Sequence, residues 1–476
     1  MEDKGLLPCP HLLLSVSCGA GRRRGLPVFL SYKEGKLSQE VTLHTETFSQ
    51  KAVEELSWLK NEPEWMRKKR LDAWHLFTRM PLPRWERTDI SRLQLDALSP
   101  FARPEAETDY RTALAQASHT LLGLEEQQGG MLLQHDSEVV YKSLAEDLRR
   151  QGVIFTDLDS AVQDYPELVQ KYFMSECVTP DSGKFAALHA AFWSGGLLLY
   201  VPKQTEITLP LQAYFSLGTS QLGLFQHTLI ITEPGSQITL LEEYTSPSLP
   251  GQALNAGVTE ILVGPEVNLT YVSLQNWGTN VYHLATQKAL LERDSNFTWI
   301  FGTVGGHLSK IDIETLLQGP GATIELMGFF LTGEGQHFAF NTVQNHIAPY
   351  TTSDLLCKGA LSGKSRSVFE GLIRVHKGAQ HINAYQTNPN LLLNDKARAD
   401  SLPTLEIEAN DVRCTHGATV GRLEEELIFY LMSRGLSRRE AEKLLVYGFF
   451  EPVLQRIPLE NVRRSLEETI ERKIEK

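Results

Sequence analysis

The chain has 476 residues, of which 42% are hydrophobic and 22% charged, a composition typical of a soluble protein with a large folded core. The formal net charge of −12 and the lack of a basic stripe argue against a nucleic-acid-binding protein, because phosphate binding requires a cationic surface. No apolar run reaches the roughly 18 residues that a membrane-spanning helix needs.

Five widely spaced cysteines form no Cys-x-x-Cys pair: Cys9, Cys18, Cys177, Cys357 and Cys414. Their odd number and spacing do not indicate a disulfide framework, and we expect a reducing, cytoplasmic compartment. At the N-terminus, Glu2 and Asp3 precede a short apolar stretch and three arginines follow it, the reverse of a secretory signal. A plastid transit peptide is the weaker alternative, since such peptides are poor in acids. We therefore predict that residues 1–40 are a disordered extension.

Residues 41–194 are predicted to be a largely helical N-terminal region. Apolar residues recur at helical spacing on both sides of Pro63. A helical pattern returns in SEVVYKSLAEDLRRQG at 137–152 and in DYPELVQKYF at 164–173.

In residues 195–408 the pattern changes to short β runs separated by Gly, Pro and Asp turns. Similar segments align at Ile238, Leu269, Phe297 and Ile324, in steps of 31, 28 and 27 residues. A further match aligns Ile382, which lies 58 residues beyond Ile324, or two steps of 29. Repeats of this length bury their apolar faces by stacking on their neighbours. They predict a parallel β-helix, with a β-sandwich as the alternative.

The segment KGALSGKSRS at 358–367 ends like a nucleotide-binding P-loop. Only three residues separate Gly359 from Gly363, whereas the phosphate-binding motif has four. The following residues are β-rich rather than helical and are interrupted by Gly371. We predict a turn between strands and no ATP site.

Residues 409–476 are predicted to be a helical C-terminal region. One helix spans 424–433 and stops at Gly435, and Ser437 with Glu440 forms a capping box for the next helix. We expect that second helix to end at Pro452 and to bury one face, made of Ala441, Leu444, Leu445, Gly448 and Phe449.

Two sets of polar residues are weak candidates for chemistry. Asp312 and Glu314 share one face of a predicted strand, about 6.6 Å apart, a separation near that of the acid and base of an inverting glycosidase. A solvated strand face balanced by Lys310 is the simpler interpretation. His376 and His381 are five residues apart in a β run, so we expect them on opposite faces, in structural or surface roles.

Cys414 and His416 are the candidate metal ligands. One residue separates them in NDVRCTHGATVG at 410–421, so on an extended segment both side chains share one face. A thiolate and an imidazole are soft ligands suited to iron, copper or zinc. Two ligands do not complete a site, and the remainder would come from elsewhere, including another subunit.

The last of these motifs carries a resemblance to a known family. DVRCTHGATVG and the following EEELIFYLMSRGLSRREAEKLLVYGF resemble the C-terminal region of the SufB/SufD family of iron–sulfur cluster assembly proteins. So do SRSVFEGLIRVHKGAQHINAYQTNPNLLLN, VSLQNW, PELVQKYF and KFAALHAAFWSGGLLLYVPK. The resemblance covers roughly residues 48–460.

The resemblance implies a mainly β fold, a right-handed parallel β-helix flanked by helical N- and C-terminal regions. It also implies two partners, a SufB-like paralogue and a SufC-like ATPase that binds the C-terminal helices and holds the ATP site. A transient iron–sulfur cluster would form at the interface with the SufB-like subunit, where the histidine matching His416 lies beside Cys414. Reduced flavin is associated with complexes of this kind, but the sequence contains no dinucleotide-binding fingerprint, so flavin binding stays open.

Two absent cysteines favour the SufD branch of the family. An essential SufB cysteine matches Thr387, and a second one has no counterpart in NAGVTEILV at 255–263. The implied role is that of a non-catalytic scaffold subunit. Two alternatives remain, an intracellular β-helix carbohydrate-active enzyme and a self-sufficient homodimeric scaffold that forms without SufB.

Overall fold

The computed structural model describes residues 47–103, 128–333, 335–457, 463–464 and 467–468. The predicted extension at 1–40 lies outside these residues. The described helices are α1 (Gln50–Leu59), α2 (Glu64–Arg79), α3 (Glu146–Arg150), α4 (Leu158–Asp164), α5 (Pro166–Tyr172), α6 (Lys184–Phe192), α7 (Glu425–Ser433) and α8 (Arg438–Leu454).

The described strands are β1 (Gly130–His135), β2 (Glu138–Leu144), β3 (Ile154–Thr156), β4 (Leu197–Val201), β5 (Leu211–Ser216), β6 (Gly223–Leu224), β7 (His227–Thr232), β8 (Gln237–Thr245), β9 (Ala253–Asn255), β10 (Val258–Val263), β11 (Asn268–Asn276), β12 (Val281–Leu291), β13 (Asn296–Thr303), β14 (Leu308–Leu317), β15 (Thr323–Thr332), β16 (His337–His346), β17 (Thr352–Leu361), β18 (Arg366–Val375), β19 (Ile382–Leu392), β20 (Arg398–Ile407) and β21 (Val412–Arg422).

From β10 onward, successive strands alternate between two sheets, as the repeats predict. One sheet has the order β2-β1-β5-β8-β11-β13-β15-β17-β19-β21, and the other runs β20-β18-β16-β14-β12-β10-β7-β4-β3, with β9 beside β12 and β6 beside β9 as its two further strands. Pairing is parallel except at β1–β2 and β3–β4. The mainly β, parallel β-helix fold with helical N- and C-terminal regions is therefore confirmed.

The repeat alignment is confirmed in four coils and wrong in the last. Ile238, Leu269, Phe297 and Ile324 pair in register on neighbouring strands. We call this row of paired residues the core column. It continues through Ser353 and Ala384, so Ile382 lies two residues out of register. The column points into the space between the sheets, where apolar side chains from both sheets form the main core.

Helices cover the outer faces of both sheets. Residues of α1, α2, α4, α5 and α6 pack on the eleven-stranded sheet around Leu198, Leu229 and Val258. On the ten-stranded sheet, α8 packs through Val446, Phe450 and Val453.

Three predictions about local structure are wrong. Residues 137–152 form β2 and the short helix α3 instead of one helix, because pairing with β1 overrides the local pattern. The helix α8 contains Pro452 and ends at Leu454. Its buried face is Ala441, Val446, Phe450, Val453 and Leu454, whereas Leu444 and Gly448 are exposed. The capping box of Ser437 and Glu440 is confirmed.

The segment KGALSGKSRS contains the predicted turn, at residues 362–365. It joins β17 to β18, and Gly363 adopts a φ of 62°, which glycine adopts without strain. Gly359 lies inside the sheet, where an added Cβ would overlap the Phe330 ring on the neighbouring strand. The two glycines therefore serve the turn and the core packing.

We expect Gly359→Ala to lower the free energy of unfolding by about 1–3 kcal/mol, because the methyl group overpacks the core. Gly448→Ala is the matched control, since no atom lies within 4 Å of its added Cβ and alanine raises helix stability by up to about 1 kcal/mol. Urea unfolding of both variants tests this, and equal stability of Gly359→Ala and wild type would refute the packing role.

Candidate functional site

Within the residues that the structure describes, the last coil of the β-helix leaves one edge of each sheet unpaired. β20 ends the eleven-stranded sheet and β21 ends the ten-stranded sheet. The β-helix thus continues past residue 408, the boundary predicted from the sequence, to Arg422. Both strands expose side chains that earlier coils bury, including Ile407 and Val420 at 41% and 47% exposure. We call this surface, formed by β20 and β21, the open end.

Cys414 and His416 lie on the inward-facing side of the open end. Cys414 pairs with Ala384 and His416 with Gln386, and both partners are buried between the sheets. His416 thus extends a column that earlier passes through Leu355, Leu326 and Trp299. No coil of the described chain follows, so Cys414 is half-buried and His416 is exposed. The prediction that both side chains share one face is confirmed, because alternate residues of a strand point the same way.

Gln386 forms the floor beneath His416. Its Nε2 donates a hydrogen bond to the Gly371 carbonyl at 3.0 Å, while its Oε1 is buried without a hydrogen-bond partner in the described chain. A Cβ at position 371 would lie 2.7 Å from that Oε1, so the glycine makes room for the amide. A buried acceptor without a partner costs free energy. The sequence analysis missed Gln386, because its place beneath His416 depends on the pairing of β19 with β21.

The three described cysteines differ in reactivity. Cys177 and Cys357 are buried, and burial raises the pKa of each thiol well above its ordinary value. Both are therefore protonated at neutral pH and inert. Burial also raises the pKa of the half-buried Cys414. Of these three, Cys414 is the most accessible, and a bound metal would displace its proton.

The other sequence candidates have structural partners. Asp312 pairs with Lys310, and Glu314 Oε2 lies 3.0 Å from Lys288 Nζ, so neither carboxylate is available as a free acid or base. His376 contacts Asn345 Oδ1 at 2.8 Å, and His381 contacts Asp411 Oδ2 at 2.8 Å. Both histidines lie in the turn between β18 and β19, not in a strand, so the argument from opposite strand faces was wrong.

Comparison with known proteins identifies the family. Residues 215–449 match the SufBD core domain of the SUF system for FeS cluster assembly, and residues 125–213 match the SufBD protein N-terminal region. An iron–sulfur cluster assembly SufBD family protein of Staphylococcus aureus (strain MRSA252) is 34% identical over 439 residues, covering 90% of this chain and 94% of that protein. A SufBD family protein of Staphylococcus haemolyticus is 33% identical with the same coverage. The chain belongs to the SufBD family.

Family membership gives this SufBD chain a role in iron–sulfur cluster assembly. Within its described residues, no group of three or more His, Cys, Asp or Glu side chains is arranged to hold a metal ion. None of the described helices is long and apolar enough to cross a membrane.

A second exposed surface lies on the C-terminal helices of this SufBD chain. Its members are large apolar side chains that project from α7 and α8: Leu427, Phe429, Tyr430, Met432 and Leu444. Phe429 is the most exposed of them, at 73%. We call these five residues the C-terminal apolar surface. Exposed large apolar side chains are typical of a protein-binding site where they form one patch.

Side-chain contacts hold the two C-terminal helices together and attach them to the β-helix. Arg438 donates two hydrogen bonds to the Glu425 carboxylate, at 2.5 and 2.9 Å, which fixes α7 against α8. Lys358 Nζ donates to the Phe449 carbonyl at 2.7 Å, and Phe450 packs edge-on against Phe329. These contacts join α8 to β17 and β15.

Proposed function

We propose that this chain is a SufD-like, non-catalytic subunit of a SufBCD-type complex. Its open end would pair with a SufB-like paralogue, and its C-terminal apolar surface would bind a SufC-like ATPase. Iron and sulfide are the cargo, assembled into a cluster at the SufB-like interface. The position of His416 and Cys414 on the inward face of the open end carries the proposal.

The unpaired strand edges support a partner at the open end. In the described chain no strand pairs with the outer edges of β20 and β21, and such edges are templates for pairing. A second β-helix docked there would cover Cys414 and His416 and supply further ligands from its own terminal coil. Each subunit would then contribute part of a site that neither completes alone.

The cysteine distribution supports the SufD branch. The sequence contains no cysteine between Cys357 and Cys414, so Thr387 and its neighbours on β19 supply no thiolate. The thiolates of the proposed site would come from Cys414 and the SufB-like partner. His416 would bind iron through a ring nitrogen, a ligand role that suits an exposed imidazole.

The proposed mechanism transmits motion from the ATPase to the cargo site. ATP binding and hydrolysis in the SufC-like subunit would move α7 and α8, and the contacts of Lys358 and Phe450 would pass that motion to β15 and β17. In the ten-stranded sheet, these two strands come directly before β19 and β21. The motion would open the shared interface and admit iron and sulfide.

Phe429→Asp is expected to abolish capture of the SufC-like ATPase, because it places a charge at the centre of an apolar contact. The SufB-like subunit should still co-purify with this variant. Leu82→Asp is the matched control, since Leu82 is 53% exposed and lies outside both proposed interfaces. Undiminished ATPase capture by tagged Phe429→Asp would refute the proposed docking surface.

A further inference from the structure

A groove of about 320 Å³ lies between the loop of residues 85–92 and the eleven-stranded sheet, next to β20. Its floor is formed by residues at the beginnings of successive strands, Tyr282 on β12, Leu308 on β14, His337 on β16 and Arg366 on β18. These four positions pair in register across the sheet. The wall is Trp85, whose ring stacks on Phe185 at 6.5 Å.

The loop that closes the groove is fixed to the β-helix. Thr88 Oγ1 lies 3.0 Å from His337 Nε2, which joins the loop to the sheet. Gln252 Nε2 donates to the Arg92 carbonyl at 2.8 Å and its Oε1 accepts from Gln94 N at 3.0 Å. The backbone of Arg92 is therefore held in place while its side chain lines the groove.

Two guanidinium groups supply donors to the groove. Arg92 is exposed, and Arg366 Nε is buried without a hydrogen-bond partner in the described chain, although Arg366 Nη2 donates to Asp400 Oδ2 at 2.7 Å. The carboxylates of Asp89 and Glu86 also line the groove, where Asp89 accepts from Ser91 N at 2.8 Å and Glu86 pairs with Arg87.

Two histidines line the groove, and burial is the main cause of their lowered pKa values. Burial and the nearby Arg366 lower the pKa of His337 to about 4, and burial together with Arg92 lowers the pKa of His307. Both rings are neutral at pH 7 and can donate or accept one hydrogen bond at each nitrogen. Unsatisfied guanidinium donors beside neutral imidazoles favour an anion.

We propose that this groove binds a phosphate monoester with an aromatic body. Arg92, Arg366 and the Tyr282 hydroxyl line the groove from different elements, an arrangement that suits a phosphoryl group better than a planar carboxylate with two oxygens. The Trp85 ring and the exposed His307 ring provide flat surfaces for the aromatic body. The volume suits a small ligand of this kind.

Titration calorimetry of the full chain with adenosine monophosphate, inorganic phosphate and adenosine tests the proposal. We expect saturable one-to-one binding of adenosine monophosphate, weaker binding of phosphate, and none of adenosine. Arg92→Gln should weaken adenosine monophosphate binding about tenfold or more, because a charged hydrogen bond is lost.

Arg84→Gln is the control, because Arg84 lies on the same exposed loop but does not line the groove. It should bind like wild type. No saturable binding of either phosphate compound at millimolar concentration would overturn the proposal, and so would equal binding by wild type and Arg92→Gln. The measurement needs no partner subunit, so its outcome is independent of the proposed role in cluster assembly.

Discussion

His416→Ala is expected to reduce the iron–sulfur absorbance of the purified complex to less than about a tenth of the wild-type value, because the site loses a metal ligand. The complex itself should still form, since His416 is exposed and contributes little to the core of the chain. The measurement is an absorbance spectrum after anaerobic co-expression of tagged chain with the SufB-like and SufC-like subunits.

His75→Ala is the matched control, as His75 is exposed on α2 away from the open end. A full-strength cluster spectrum from an intact His416→Ala complex would contradict the ligand role while leaving family membership unaffected. Cys414→Ser in the same assay separates the contribution of the thiol from that of the imidazole.

Arg70→Ala is expected to lower the free energy of unfolding by about 3–5 kcal/mol, the cost of leaving one partner of a buried ion pair uncompensated. The fully buried guanidinium donates to both Glu62 oxygens, at 2.5 and 2.7 Å. It also donates to the carbonyls of Ala191 and Trp193, at 3.0 Å each. These contacts join α2 to the end of α6, where the chain enters the β-helix.

Lys68→Ala is the control for this prediction. Lys68 pairs with Asp72 on the same helix, but both side chains are exposed, so we expect a change within about 1 kcal/mol. Replacing Arg70 with Met and Glu62 with Leu together should recover much of the loss, because neither charge then remains buried. Urea unfolding of the three variants provides the comparison, and equal stability of Arg70→Ala and Lys68→Ala would contradict the account.

The fold was predictable because its core column is apolar where the repeats are regular. Leu269, Phe297 and Ile324 each lie three residues after a residue with positive φ, at Glu266, Asp294 and Gly321. The same turn position is occupied by Tyr350 and His381 in the next coils. The column residues of those coils are the small Ser353 and Ala384, so the larger apolar Ile382 was aligned two residues out of register.

The candidate site was predictable only in part. The spacing of Cys414 and His416 fixes that they share a face, but whether that face points inward depends on the register of β21 against β19. The place of Gln386 beneath His416 can be recognised only once that pairing is known. The C-terminal apolar surface could not be predicted from the sequence. The apolar stretch LIFYLM of α7 does not indicate which of its side chains stay exposed.

Hydrogen exchange of the chain, alone and with the SufB-like subunit, tests the central claim most directly. If the open end is the shared interface, the amides of Arg398–Ile407 and Val412–Arg422 should become protected when the partner binds, because their free edges gain hydrogen bonds. Unchanged exchange in both strands of a stable complex, with new protection elsewhere, would contradict a cluster site built at the open end.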